Sequence, residues 1–519
     1  TRVRSSAASD VYKRQNPKIW DFIKLSTIES QNNRQSWIAE PQAVYDMVKG
    51  KFEINALLGG TFQDNKNDYL AIEGNGYADK SLMANIGAAD EVRILTDDNT
   101  EYRYAAVFGR LGLNWDKKYF LNITGRRDGS SRFGPDKRFS NFGALGAAWI
   151  FSEEKVIRDN IFFLSFGKLR GSYGTTGSDQ IGDYGYLDAY EPTDGAGGLY
   201  PTQLFNADYS WEVNKKLEAA LQLGFLKNHI NLDVSWFRNR SSNQLVGYPL
   251  PTITGFSSVQ ANLPALVQNT GWEIQLATIN ITSKDFAWKT SLNMTFPDNE
   301  LVAFDNIDQT SYANRYHVGQ PLNIRLLYQY NGIDPETGFY RIVDINKDGR
   351  FNYDDRVVVK NMGRKYYGGL SNHIKYKGVS LQFLLEYIKQ NNLSYIFSAQ
   401  PPGRYGNKPI EFLDTWETLG DNEDIQKISQ SGIARTAFNN AANSTKGIED
   451  ASFLRLKNIS MSYELPQHLM ERLNIQAASV YIRAQNLFTI TKYPGLDPQG
   501  GRGVVPPLRT ITCGIQVNF

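Results

Sequence analysis

The sequence predicts an all-β protein built as an antiparallel transmembrane β-barrel. Three observations carry that prediction. Apolar residues recur at every second position over much of the 519-residue chain, tight turns alternate with long polar stretches, and the chain ends in Phe519 on an alternating strand. Composition agrees, since 29 Tyr, 28 Phe and 9 Trp with 44 Gly suit strands and turns and are poor material for helical bundles.

Other classes fall away on simple counts. No run of about 18 or more apolar residues is present, so no membrane-spanning helix is available. A mean hydropathy of −0.43 is still compatible with a membrane barrel, whose strands alternate lipid-facing and lumen-facing residues. With 56 Lys+Arg against 54 Asp+Glu and a net charge of +2, no basic block points to a nucleic-acid partner. Cys513 is the single cysteine, so neither a disulfide framework nor a cysteine metal site is expected. Residues 1–15 are polar, lack the apolar segment of a signal peptide and do not resemble the remainder of the chain. They read as a leader foreign to the fold, which leaves 16–519 as the barrel region.

Along the chain, Leu217, Ala219, Leu221, Leu223 and Phe225 share one face, against Glu218, Gln222 and Gly224. After a turn at Lys227-Asn228, Ile230, Leu232, Val234 and Trp236 alternate with Asn231, Asp233 and Ser235. Period-two alternation of this kind marks strands with one buried face. The design recurs at Phe286, Trp288, Leu292, Met294 and Phe296, at Val379, Leu381, Phe383, Leu385 and Tyr387, and at Val480, Ile482 and Ala484. Tight turns at 116–118, Lys227-Asn228, 283–285 and Lys377-Gly378 alternate with polar stretches near 175–212, 242–270, 298–364 and 391–450. A soluble sandwich also alternates, but strict alternation of short and long loops is the pattern of an outer-membrane barrel. A compact soluble domain seldom carries so many long loops.

Counting back from Phe519 gives about fifteen strands with every long stretch on the external side, within the range of large barrels. Apolar parity switches between Leu454, Leu456 and Ile459, Met461, Tyr463, which a β-bulge near Asn458 explains. The last strand sets Ile511, Cys513, Ile515, Val517 and Phe519 on one face, against Thr510, Thr512, Gln516 and Asn518. A terminal aromatic on such a strand resembles the recognition signal for outer-membrane barrel assembly.

Several segments go beyond generic barrel chemistry. Arg126-Arg127-Asp128-Gly129-Ser130-Ser131-Arg132-Phe133-Gly134 with Asn141-Phe142, and Leu169-Arg170-Gly171-Ser172-Tyr173-Gly174, resemble signatures of SusC/RagA-type TonB-dependent outer-membrane transporters. Asn269-Thr270-Gly271-Trp272-Glu273, Gly332 to Gly338, Phe453 to Ser460, Gln485-Asn486-Leu487-Phe488 and Tyr493 through Asp497-Pro498 come in that family's order, from about residue 40 to Phe519. The resemblance implies a 22-strand barrel with an N-terminal plug and a TonB box, a SusD-like surface lipoprotein as a lid, and energy from TonB–ExbB–ExbD. It implies import of glycans, oligopeptides or other large nutrients across the outer membrane of a Gram-negative bacterium. Neither plug nor TonB box is found in this sequence, and about a third of the strands are missing. The chain is thus expected to be a C-terminal barrel portion that does not close by itself, since open strand edges in lipid are costly.

Two segments attract site hypotheses. Asp344, Asn346, Asp348, Asn352 and Asp355 supply oxygens at positions 1, 3, 5, 9 and 12 of a calcium-loop pattern, with Gly349 at position 6 and the Arg350 carbonyl at position 7. Asp355 stands where a bidentate Glu is preferred, and no EF-hand helices flank the loop; the alternative is a polar turn held by Asx hydrogen bonds. No cofactor is required, and the calcium would be structural. Arg126, Arg127 and Arg132 line the lumen and bind an acidic group, or else Asp128 ties them into a network that shapes a loop, the reading favoured here. Loop tyrosines such as Tyr184, Tyr186, Tyr190, Tyr200 and Tyr405 suit sugar stacking or contact with a lid, though barrel girdles also use tyrosine. His229, His317, His373 and His468 are scattered without metal-ligand spacing, and nothing marks a catalytic pair. The rival readings are a passive porin or other outer-membrane receptor, and a secreted all-β carbohydrate-binding protein.

Overall fold

The computed structural model describes residues 2–5, 24–192, 197–421, 423–473 and 475–518. Phe519 and, in the leader, residues 1 and 6–15 lie outside the described residues; Arg2–Ser5 forms a short strand paired with residues 28–31.

Among the described residues, seventeen strands join in one sheet. Ser26–Ala39 and Gln42–Lys49 both pair with Phe52–Asn75 in one register, interrupted only at Glu40 and Pro41, so they act as a single spanning strand. Setting Arg2–Ser5 aside, fifteen spanning strands succeed one another, in line with the number read from the sequence. They are β1 (Ser26–Ala39 and Gln42–Lys49), β2 (Phe52–Asn75), β3 (Glu91–Trp115), β4 (Tyr119–Ser130), β5 (Phe139–Trp149), β6 (Leu164–Ser178), β7 (Glu212–Phe225) and β8 (Ile230–Ser242). The series continues with β9 (Ala265–Thr282), β10 (Phe286–Phe304), β11 (Tyr366–Tyr376), β12 (Val379–Lys389), β13 (Phe453–Glu464), β14 (Ala477–Thr491) and β15 (Thr510–Asn518). Each pairs antiparallel with the next. Among the described residues no pairing joins β15 to β1.

The expected tight turns are present. Lys377 and Gly378 carry φ of 43° and 88°, and Asp116 and Lys117 carry 56° and 55°, the left-handed backbone that closes two antiparallel strands with the right twist. The turn at Lys227-Asn228 is wider than read from the sequence, spanning 226–229 with three left-handed residues. Two of the long stretches are shorter than read from the sequence, 242–270 at its end and 298–364 at its start. β9 starts at Ala265 and β10 runs to Phe304, so Gln268, Asn269, Asp298 and Asn299 are paired strand residues. These positions lack an apolar face because they stand above the lipid zone. Strand pairing needs only extended neighbours, and the alternation signal disappears where neither face meets lipid.

The parity switch is a bulge. Leu384 pairs with Asn458 and Leu385 with Leu456, leaving Lys457 of β13 without a partner on β12; on the other side Asn458 meets Gln485 and Leu456 meets Phe488. The extra residue sits one position before Asn458, and Asn486 opposite it is left-handed at φ 52°. Lys457 thereby gains an inward direction and reaches Glu386 Oε1 at 2.8 Å.

Faces are set by register. Leu221, Val234 and Ile274 align on one side, while Gln222, Asp233 and Gln275 align on the other. The apolar side faces outward and carries two aromatic bands. Near the turns, Trp115, Tyr119 and Trp149 stack at 5.6 and 6.5 Å; toward the loops, the Tyr366 ring lies 5.7 Å from Phe296 on one side and 5.7 Å from Tyr387 on the other. Such girdles mark the two membrane interfaces of a barrel. The long loops hold apolar clusters of their own. Tyr340, Phe397, Phe412, Ile425 and Phe438 form one, Leu263, Val267, Leu301 and Phe304 a second, and Phe133, Phe142, Tyr209 and Trp211 a third.

Candidate functional site

Inward-facing residues of β6 to β9 form a polar wall. Arg170 and Ser172, Lys216 and Glu218, Asp233, Ser235 and Asn239, and Glu273 and Gln275 line a recess of about 460 Å³. Arg170 Nη1 meets Glu218 Oε1 at 2.7 Å, and Gln222 donates to Asp233 Oδ2 at 2.6 Å. Period-two alternation aims these side chains at the lumen for the same reason that it aims Leu221 and Val234 at lipid. The wall offers both charge signs and many hydrogen-bonding groups, which suits hydrophilic cargo.

The Arg-Arg-Asp-Gly-Ser-Ser-Arg segment lies at the loop end of β4, and its arginines separate. Arg126 faces inward, where its Nε donates to both carboxylate oxygens of Asp128 at 2.8 Å and Nη2 donates to Tyr104 at 2.7 Å. Arg127 faces outward on Asn141. Arg132 donates to Asp183 and to the Asp179 carbonyl of a later loop, with its guanidinium 4.3 Å from the Tyr102 ring. Asp128 holds one arginine, not three, and residues from two loops complete the network. Loop shaping is what this arrangement achieves.

Asp344 to Asp355 forms a turn held by its own amides. Asp344 accepts the N–H groups of Lys347 and Gly349, Asn346 that of Asp348, and Asp348 that of Arg350. Asp355 is fully buried and accepts from Asn352 and Ile345, bonds that hold its carboxyl below the usual range. Gly349, at φ 76°, makes the sharp bend. Among the described residues no three acidic or His side chains converge to hold a metal.

Of the loop tyrosines, Tyr184 accepts the Glu101 N–H through its hydroxyl oxygen, Tyr186 packs on the Phe133 cluster, and Tyr405 is 99% exposed. Tyr190 and Tyr200 belong to the two strands of a short loop hairpin, Ala189–Pro192 and Leu199–Gln203. In the last strand, Ile511, Cys513, Ile515 and Val517 share the outward face with Ala484, Ile482, Val480 and Ala478 of β14.

One arrangement went unread in the sequence. Arg455 and Asp497 form an ion pair at 2.5 Å with both side chains nearly buried. Thr489 and Gln499 take the other guanidinium N–H groups. Asp497 also accepts the N–H groups of Gln499 and Gly500. Gln390 and Asn392 bond the Pro498 carbonyl, so the loop between β14 and β15 is latched to the end of β12. The Phe-Leu-Arg-Leu and Leu-Asp-Pro segments were legible as motifs, but nothing in them says that one binds the other.

Comparison with known proteins agrees with this architecture. Residues 4–487 match the family described as TonB dependent receptor-like, beta-barrel. TonB-dependent receptor P26 of Formosa agariphila is 27% identical over 94% of this chain and 53% of its own length. TonB-dependent receptor SusC of Bacteroides thetaiotaomicron is 26% identical over 91% and 49%. The RagAB peptide transporter structure superposes with a TM-score of 0.80 at 25% identity, over 96% of this chain and 56% of that one. The chain spans about half the length of the relatives it matches, and those relatives are receptors and transporters. The sheet, its girdles and these matches agree, and the chain belongs to the TonB-dependent receptor-like β-barrel family of the outer membrane, with SusC and RagA-type relatives.

Proposed function

We propose that the protein to which this chain contributes imports large hydrophilic nutrients, glycans or oligopeptides, as the SusC-like member of a pair with a SusD-like surface lipoprotein. Import would be driven by TonB–ExbB–ExbD through a plug and TonB box. The observation that carries this reading is the charged and amide-rich lumen wall of β6 to β9 beneath loops that hold their own apolar cores. A secreted carbohydrate-binding protein would leave the outward apolar bands in water, which soluble monomers avoid. A passive porin would need no TonB coupling, and that difference sets the test. Cells carrying the full-length gene should take up labelled glycan or oligopeptide only when TonB and the lipoprotein are present. Uptake that survives deletion of TonB would favour the porin.

A structural calcium ion at Asp344–Asp355 is a second part of the proposal. Each carboxylate oxygen has two acceptor positions, so amide bonds to Asp344, Asp348 and Asp355 leave lone pairs for a hard cation, together with the Asn346 and Asn352 side chains and the Arg350 carbonyl. The shorter Asp355, already engaged by two amides, argues for weak affinity. Calcium titration of the full-length receptor should raise its unfolding temperature, with the rise abolished in D344N/D348N; an equal rise in both would remove the site.

A further inference from the structure

The outward faces of β7 and β8 carry a cluster of cations that the transport reading does not use. Lys215 and Arg240 stand directly opposite each other in the register, on the same side as Leu217 and Arg238. Like charges in direct cross-strand opposition destabilise a sheet unless something neutralises them. None of the three forms an ion pair among the described residues; Arg240 Nε donates only to Gln268 Oε1, at 2.7 Å. The nearest acids on that face, Asp298 and Glu300, are two strands away on β10.

Their height matters. Arg238 lies eight residues from the start of β8 at Ile230. At about 3.3 Å per residue and a strand tilt of about 40°, it stands about 20 Å above the turn end. Lys215 and Arg240 reach about 25 Å by the same estimate, which is the upper limit of the apolar band. Directly below, Trp236 and Trp272 oppose each other, Trp272 being 53% exposed. Arg127 repeats the pattern on β4. It is exposed on the outward side, bonded to Asn141 and stacked 5.2 Å from Phe139, with no carboxylate partner among the described residues.

We propose that Lys215, Arg238 and Arg240 form a binding site for the phosphate of an acylated, phosphorylated glycolipid in the outer leaflet, with Trp236 and Trp272 against its sugar and upper acyl chains. Guanidinium groups match phosphate in two parallel hydrogen bonds, and long basic side chains at a membrane interface extend toward the headgroups. The site rests on the chain's placement in the outer membrane and is independent of what the receptor imports.

The test uses the full-length receptor purified in detergent and three probes: a phosphorylated acyl-glucosamine disaccharide, the same lipid with its phosphates removed, and inorganic phosphate. Binding of the phosphorylated lipid should weaken at least tenfold in K215Q/R238Q/R240Q, and the dephosphorylated lipid should bind as weakly to both proteins. If the triple variant fails to assemble, R238Q should still weaken binding about threefold, while R238K, which keeps the charge and loses the paired hydrogen bonds, should weaken it less. Equal binding by wild type and variant, or indifference to the phosphates, overturns the proposal. Inorganic phosphate matching the effect of the lipid would also overturn it, leaving a free-anion site.

Discussion

At the scale of single residues, the buried Arg455–Asp497 pair makes the sharpest prediction. Removing one partner of a buried pair leaves an uncompensated charge and costs about 3–5 kcal/mol, whereas replacing both by apolar groups of similar volume is often neutral. D497A should therefore lower the unfolding temperature of the receptor strongly, and R455M/D497N, which removes both charges while the Asn oxygen still accepts the Gln499 and Gly500 N–H groups, should recover most of the loss. Asp450 gives a pH dependence. Its bond from Lys389 Nζ at 2.7 Å, with help from Ser452, holds its carboxyl down to about 2. A depressed pKa stabilises the folded loop above the ordinary carboxylate value of 3.8, and the contribution is lost as pH falls through about 2. D450N should weaken the loop at neutral pH and flatten its response between about pH 4 and 2, read as protease cleavage within 390–452. Residue roles were the least legible level. Alternation shows which way Arg126 and Arg127 point, but partners such as Asp183 or Asp497 come from loops whose paths have no periodicity.

At the scale of elements, legibility tracked lipid contact. β7, β8, β12 and β14 announced themselves because lipid demands an apolar residue at every second position. The outer ends of β9 and β10 did not, because they rise beyond it. The bulge was legible as a broken rule at Leu456 and Ile459, and the register puts it at Lys457. Deleting Lys457 would make Leu456 and Asn458 neighbours and restore unbroken alternation, so Leu454, Leu456, Ile459 and Met461 would keep their face. Deleting Ser460 instead, from the regular part of β13, would exchange the faces of the residues on one side of the cut, since a one-residue slip exchanges the faces. The Ser460 deletion should abolish heat-modifiable, folded receptor in the outer membrane, while the Lys457 deletion should assemble. Folded Ser460-deletion protein would show that face alternation does not set the register.

At the scale of the whole molecule, the sidedness of fifteen strands and the assignment of long stretches to one end were both readable from turn chemistry and loop length. The loop cores around Phe438, Leu301 and Tyr209 were not, because their members are drawn from distant segments and pack without any regular spacing. The central claim is that every tight turn lies on one side of the outer membrane and every long loop on the other. Cys513 is the single cysteine of this chain, so a full-length receptor carrying C513S, with any cysteine outside this chain also replaced by Ser, permits one reporter cysteine at a time, at Lys117 in a turn or at Tyr405 or Asp348 in loops. Intact cells treated with a membrane-impermeant maleimide should label Y405C and D348C, and K117C only after the outer membrane is opened. Labelling of K117C in intact cells at the same rate as Y405C would contradict the barrel and the sidedness on which the rest depends.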